Sequence, residues 1–188
     1  MFSTPLTLLD RLHRSDDREA WDRFIVLYSP LLFEWSRRNG VPESGAADLV
    51  QNVLLLLIKQ IQKFEHRAAG SFRGWLFTIA RNSWHDQIRS QARQPAIAQG
   101  VPPNEKAIAD PIVELTEVEY RDYLFRRTLQ VIQTDFPEPT WRAFLLHVVE
   151  GQPAAEVAKI TGTTPNAVYL ARGRVLKRLR EELAGFMD

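Results

Sequence analysis

The sequence predicts an all-α fold in which two small helical domains are joined by a Pro-rich linker, the second domain being a helix-turn-helix. Three observations carry this expectation. Apolar residues recur at three- and four-residue steps through most of the 188 residues, and no stretch alternates as a half-buried strand would. Pro95, Pro102, Pro103 and Pro111, with Gly100 and polar neighbours, break that rhythm between 94 and 111. Residues 153–179, PAAEVAKITGTTPNAVYLARGRVLKRL, read as two short helices about a glycine-containing turn. The chain therefore divides at 1–93, 94–111 and 112–188.

A first helix runs from Asp17 to about Asn39 on the spacing of Trp21, Phe24, Ile25, Tyr28, Leu32 and Trp35. Pro30 is expected to bend or split it. Asn39-Gly40-Val41-Pro42 closes it. The next helix spans about Ser44 to Phe64 and is apolar almost all round. Its narrow polar stripe holds Asp48, Gln51, Asn52, Lys59, Gln62 and Lys63, with Leu55 in the middle. Core burial explains most of such a helix. An exposed leucine among Gln51, Asn52 and Lys59 also suits a protein-docking patch.

After a loop at 65–71 comes the helix FRGWLFTIARNSWHDQIRS. At 100° per residue, Phe72, Leu76, Ile79, Ala80 and Ser83 share an inward face. Phe77, Trp84 and Ile88 form a second apolar flank, and Trp75 lies on the other side. Between them is a polar window of Thr78, Arg81, Asn82, His85 and Arg89. The second helical block starts near Ile112 and is interrupted at 136–139, 150–153 and 161–164.

Within the helix-turn-helix, Ala158 permits close helix approach, and Gly162 supplies a left-handed helix end. Thr164 caps the next helix, and Pro165 suits its first position. Val157, Ile160, Val168 and Leu176 are the expected buried side. Asn166, Tyr169, Arg172, Arg174, Lys177 and Arg178 remain for solvent or for a major groove.

The net charge of +1 conceals a strong segregation. Residues 65–93 carry five arginines against Glu65 and Asp86. Residues 165–183 carry Arg172, Arg174, Lys177, Arg178 and Arg180 against Glu181 and Glu182. Between them, 94–124 holds six acidic residues against Lys106 and Arg121. Clustered positive charge is what a polyanion senses. The acidic middle piece is also placed to hold the basic blocks together in the free protein.

Other function classes fit poorly. There is no cysteine, so disulfide and thiolate-metal chemistry is excluded. The four histidines stand singly, and neither a phosphate-binding loop nor a nucleophile-elbow motif appears. No catalytic residue, metal site or cofactor is expected. With no leader and no apolar run approaching the roughly 20 residues of a membrane span, a cytoplasmic protein without membrane insertion is expected.

The motifs in their order, DLVQNVLLLLIKQIQKF, FRGWLFTIARNSWHDQIR, the Pro-rich linker, FPEPTWRAFLLHVVEGQPAAEV and the final helix-turn-helix, resemble bacterial RNA polymerase sigma factors of the extracytoplasmic-function group of the sigma-70 family. The resemblance runs from about Ala20 to Leu183. It implies a non-enzymatic transcription initiation factor whose partners are core RNA polymerase, promoter DNA and an anti-sigma factor. It places Asp48, Gln51, Asn52, Leu55 and Lys59 where members dock on the polymerase, with Asn52 replacing a usual acidic residue. Arg67, Ser71, Phe72, Arg73, Phe77, Arg81, Asn82, Trp84, His85 and Arg89 fall where members capture melted bases of the −10 element. Thr164, Pro165, Asn166, Tyr169, Arg172, Arg174, Lys177 and Arg178 fall where members read the −35 duplex. Tyr169, Leu170 and Ala171 replace the residues members commonly carry there, so no base preference transfers. A stand-alone helix-turn-helix regulator is the alternative from the residues alone.

Overall fold

A computed structural model describes residues 7–14, 16–64, 71–99 and 115–187, with backbone only at 91–99. Helix α1 (Leu8–Leu12) opens with a reciprocal cap, in which Thr7 Oγ1 accepts from Asp10 N–H and the Asp10 carboxylate accepts from Thr7 N–H, each at 3.1 Å. Helix α2 (Arg18–Arg38) is capped by Asp17, which accepts from Ala20 N–H at 3.0 Å. The Arg11 guanidinium, 2.8 Å away, and that N–H hold the Asp17 carboxyl down at about 2. Helix α3 is Glu43–Gln60, with a 3₁₀ turn at Ile61–Lys63. Helix α4 is Phe72–Gln99, and α5 is Glu117–Ile132. Helix α6 (Glu138–Phe144) continues as a π turn at Leu145–Val149, followed by α7 (Ala154–Thr161) and α8 (Pro165–Leu183). No strand occurs among the described residues.

Two boundaries differ from expectation. The linker was expected from 94, yet α4 runs through Pro95 to Gln99. The rest of the linker, 100–111, lies outside the described residues. Pro30 does not split α2, which stays one helix. A proline withholds the N–H that would bond the carbonyl four residues earlier, here Val26. That carbonyl accepts from Arg127 Nε at 3.3 Å, and the neighbouring Leu27 carbonyl accepts from the Tyr123 hydroxyl at 3.1 Å. Both donors come from α5, so the second block gives the freed Val26 carbonyl a donor on a surface that water also reaches.

The helix-turn-helix forms as its residues dictate. Gly162 ends α7 at φ +67°, and Thr164 Oγ1 caps α8 by accepting from Ala167 N–H at 3.2 Å. Val157, Ala158 and Val168 are buried, and Leu176 is half-buried. Ile160 is the exception, 51% exposed because it lies on the outer side of the short α7.

The core does not divide where the prolines suggest. Ala143, Ala154, Val157, Ala158, Val168 and Ala171 form a small cluster of their own. A larger core gathers α1–α4 together with Tyr120, Leu124 and Ile132 of α5 and Val175, Leu179 and Leu183 of α8. At its centre Phe186, 1% exposed, lies 4.8 Å from the Phe72 ring and 5.5 Å from the Tyr28 ring. The buried Tyr120 hydroxyl donates to the Phe186 carbonyl at 3.1 Å, which leaves Tyr28 to donate to Tyr120 at 2.9 Å. Burial pushes both phenols well above their ordinary range.

Beside this relay, Arg23 of α2 reaches Asp135 at 2.9 Å. Arg178 of α8 reaches Asp135 at 2.9 Å and the buried Glu182 at 2.6 Å. Among the described residues, apolar packing and paired charges hold the two blocks together.

Tyr120→Phe removes the donor to Phe186 and the acceptor for Tyr28, and should cost about 1–3 kcal/mol in denaturant unfolding, with an unchanged denaturant slope. A second expectation concerns acid. Burial pushes the Asp135 carboxyl up, but Arg23 and Arg178 pull it further down, so it titrates below the usual carboxylate range. A depressed carboxylate contributes fully above its unfolded value and loses that contribution as pH falls through the folded one. Asp135→Asn should therefore flatten the loss of Tm that the parent protein shows below about pH 4.

Candidate nucleic-acid and protein interfaces

Three surfaces collect the expected site residues. The first is the outer face of α3. Ala46, Leu49, Val50, Val53 and Leu57 are buried at helical spacing, which turns Asp48, Gln51, Asn52, Leu55 and Lys59 outward. Leu55 is 54% exposed and Ile58 46%. Asn52, Leu55, Leu56 and Lys59 form one wall of a groove of about 490 Å³, whose other wall is Ser83, Asp86, Gln87 and Ser90 of α4. Gln87 Nε2 donates to the Gly45 carbonyl at 3.2 Å and fixes the spacing of the two helices.

The second surface lies on α4. Ser71 accepts from Gly74 N–H at 3.1 Å through its Oγ and starts the helix. Thr78, Asn82 and Arg89 are exposed, and Arg81 and His85 are half-exposed, so the polar window is a continuous surface strip. Its aromatic edges differ from expectation. Phe72 is 1% exposed within the core, and Phe77 and Trp84 are each 9% exposed. Phe77 packs 5.9 Å from Trp35, and Trp84 lies 5.2 Å from the His85 ring. These three rings offer almost no stacking surface as folded, because the inward face and the second flank both pack into the core. Trp75 is half-buried, 4.8 Å from Phe64. Arg73 also turns away from solvent, donating to the Leu115 carbonyl and lying 5.9 Å from the centre of the Tyr120 ring. Arg67 lies outside the described residues.

The third surface is α8. Val168, Ala171, Val175 and Leu179 are buried on one side. Thr164, Pro165, Asn166, Tyr169, Arg172, Arg174 and Lys177 are exposed on the rest. Tyr169 meets His147 edge to face at 5.5 Å, which ties its ring to the π turn. Arg178 is the correction here: half-buried and paired with Asp135 and Glu182, it belongs to the closure between blocks. Leu170, absent from the expected set, stands out at 52% exposure. It lies on the side of α8 opposite the buried Val168, Ala171 and Val175.

No group of three or more metal-ligating side chains converges among the described residues. No helix among them is long and apolar enough to cross a membrane.

Comparison with known proteins matches residues 24–94 to sigma-70 region 2 and residues 137–179 to sigma-70 region 4. The chain is 29% identical over 180 residues to the ECF RNA polymerase sigma factor SigD of Mycobacterium tuberculosis, covering 92% of this chain and 81% of that protein. It is 24% identical over 196 residues to the ECF RNA polymerase sigma-E factor of Haemophilus influenzae, covering 94% and 96%. A solved likeness is the sigma factor RpoE of Bartonella quintana in complex with the anti-sigma factor NepR, at 23% identity, 87% and 96% coverage and a TM-score of 0.37. The region 2 match takes in α3 and the polar strip of α4, the region 4 match takes in the helix-turn-helix, and this chain belongs to the extracytoplasmic-function group of the sigma-70 family of RNA polymerase sigma factors.

Proposed function

We propose that this protein directs bacterial core RNA polymerase to promoters as a cytoplasmic, non-catalytic specificity subunit. The observation that carries the reading is the separation of two exposed basic or polar faces, on α4 and α8, from a third face on α3 that has an apolar centre. Leu55 among Asp48, Gln51, Asn52 and Lys59 suits a protein partner, since an exposed leucine with a polar rim has the make-up of a small interface centre. The α8 face suits the major groove, with Asn166 near base edges and Arg172 and Arg174 near phosphates. The α4 strip suits unpaired bases of the downstream element, with Asn82 and His85 as hydrogen-bonding groups and Arg89 for phosphate. The expected division 1–93, 94–111 and 112–188, with the first boundary moved to the end of α4 at Gln99, is in this reading a division of labour. An anti-sigma factor is the expected regulatory partner.

Elements near −10 and −35 lie ~25 base pairs, roughly 85 Å, apart at about 3.4 Å per pair. A compact chain of this length has a radius of gyration of ~16 Å. Engaging both elements at once therefore requires α5 and α8 to part from α2 and α4. On this account small-angle scattering should show a compact free protein, and Phe186→Ala should enlarge its radius of gyration.

The decisive test is transcription by purified core polymerase from a random promoter library, with and without the protein. Initiation from an enriched motif only when the protein is present is the expected result, and its absence despite polymerase binding would defeat the promoter-opening role. Asn82→Ala combined with Arg89→Ala should leave polymerase binding intact and cut initiation on duplex promoters by at least tenfold. A template with a pre-melted bubble should restore most of that loss. Leu55→Glu should instead weaken polymerase binding itself.

A further inference from the structure

The glycines of this chain single out one position on α8. Gly40, Gly151, Gly162 and Gly185 have positive φ, where a side chain is strained. Gly45, in α3, would bring a β-carbon within 3.3 Å of Gln87 Nε2, and Gly74, in α4, within 3.4 Å of the Ser71 Oγ that caps it. Gly173 has neither reason. It lies in the middle of α8, and a β-carbon there would meet nothing within 4 Å. A mid-helix glycine costs about 1 kcal/mol relative to alanine. Nothing among the described residues offsets that cost, and the glycine leaves the helix surface bare at that point.

The position of Gly173 on the helix says where. Taking the buried residues Val168, Ala171, Val175 and Leu179 as the inner side, the diametrically opposite line runs through Asn166, Leu170, Gly173 and Lys177. Tyr169 and Arg174 flank that line. Leu170, 52% exposed, is the apolar member, and Asn166 lies in the first turn, where a recognition helix meets base edges.

Resting on the duplex-reading role of α8 given above, we propose that Asn166, Leu170 and Gly173 form its base-reading edge and select an A·T-containing step in the major groove. The Asn166 amide pairs with adenine through its N6 and N7 positions, and the Leu170 methyl groups cover the C5-methyl of a thymine. Gly173 removes the side chain where the helix comes nearest the duplex, which lets the backbone approach. Arg174 and Lys177 contact the phosphates beside it.

The recognition face is exposed in the folded chain, so the full-length protein can be tested alone on duplex DNA. A binding site is first selected from random duplexes, and affinities are then measured by fluorescence anisotropy. Gly173→Ala should raise Tm by ~2–4 °C and weaken specific binding at least tenfold, with non-specific binding unchanged. A merely structural glycine would not give those opposite signs. Replacing individual thymines by deoxyuridine, which removes only the methyl group, should cost the parent protein several-fold at one position and Leu170→Ala nothing there. Asn166→Ala should lose discrimination at a neighbouring adenine. Undiminished binding by Gly173→Ala, or a full methyl penalty retained by Leu170→Ala, would overturn the proposal while leaving duplex reading by α8 intact. If no duplex sequence is selected at all, both fall together.

Discussion

The buried Tyr28 hydroxyl needs a partner, and it finds one in the other half of the chain. Pro30 leaves the Val26 carbonyl without its helical donor, and Arg127 of α5 supplies one. Tyr28 buries its hydroxyl completely and finds its acceptor in Tyr120. Tyr120 in turn reaches the backbone at Phe186. An unpaired hydroxyl buried there would cost about 1–3 kcal/mol. The seam between α2 and α5 is thus written into both blocks, and the position of α8 follows from it, because α8 carries Phe186 into the same core.

That seam sorts the cations. Arg23, Arg73 and Arg178 hold one block to the other, each against carboxylates or a carbonyl. Arg89, Arg172 and Arg174 remain on the surface of α4 and α8. A count of positive charge along the chain cannot make this distinction, since Arg174 and Arg178 lie one helical turn apart. Only the packing of α8 decides that the second is paired with Asp135, and the first faces solvent.

The aromatic helix shows the same principle with apolar groups. Its face of Phe72, Leu76, Ile79 and Ala80 is buried, as its periodicity demands. Its second flank was expected to offer rings to DNA. Phe77 is covered by Trp35 and Tyr120, and Trp84 by its own surroundings, to 9% exposure each. A helix packed against its neighbours on two flanks has room for one narrow polar strip and little else. The strip itself, Thr78 to Arg89, was legible because its polar residues fall at three- and four-residue steps with no apolar member.

Local physical chemistry was enough for the helices, their caps and the turn between α7 and α8. Asp17, Thr164, Gly162 and the breaks at 136–139 and 150–153 act through neighbours within four residues, so the sequence alone determined them. The order of the motifs likewise determined the family. The tertiary structure decided what depends on contacts distant in sequence. It took Phe77, Trp84 and Arg178 out of the exposed set. Such outcomes depend on which face of a helix meets a partner distant in sequence, 43 residues away for Arg178 and Asp135, and periodicity fixes the faces without naming the partner.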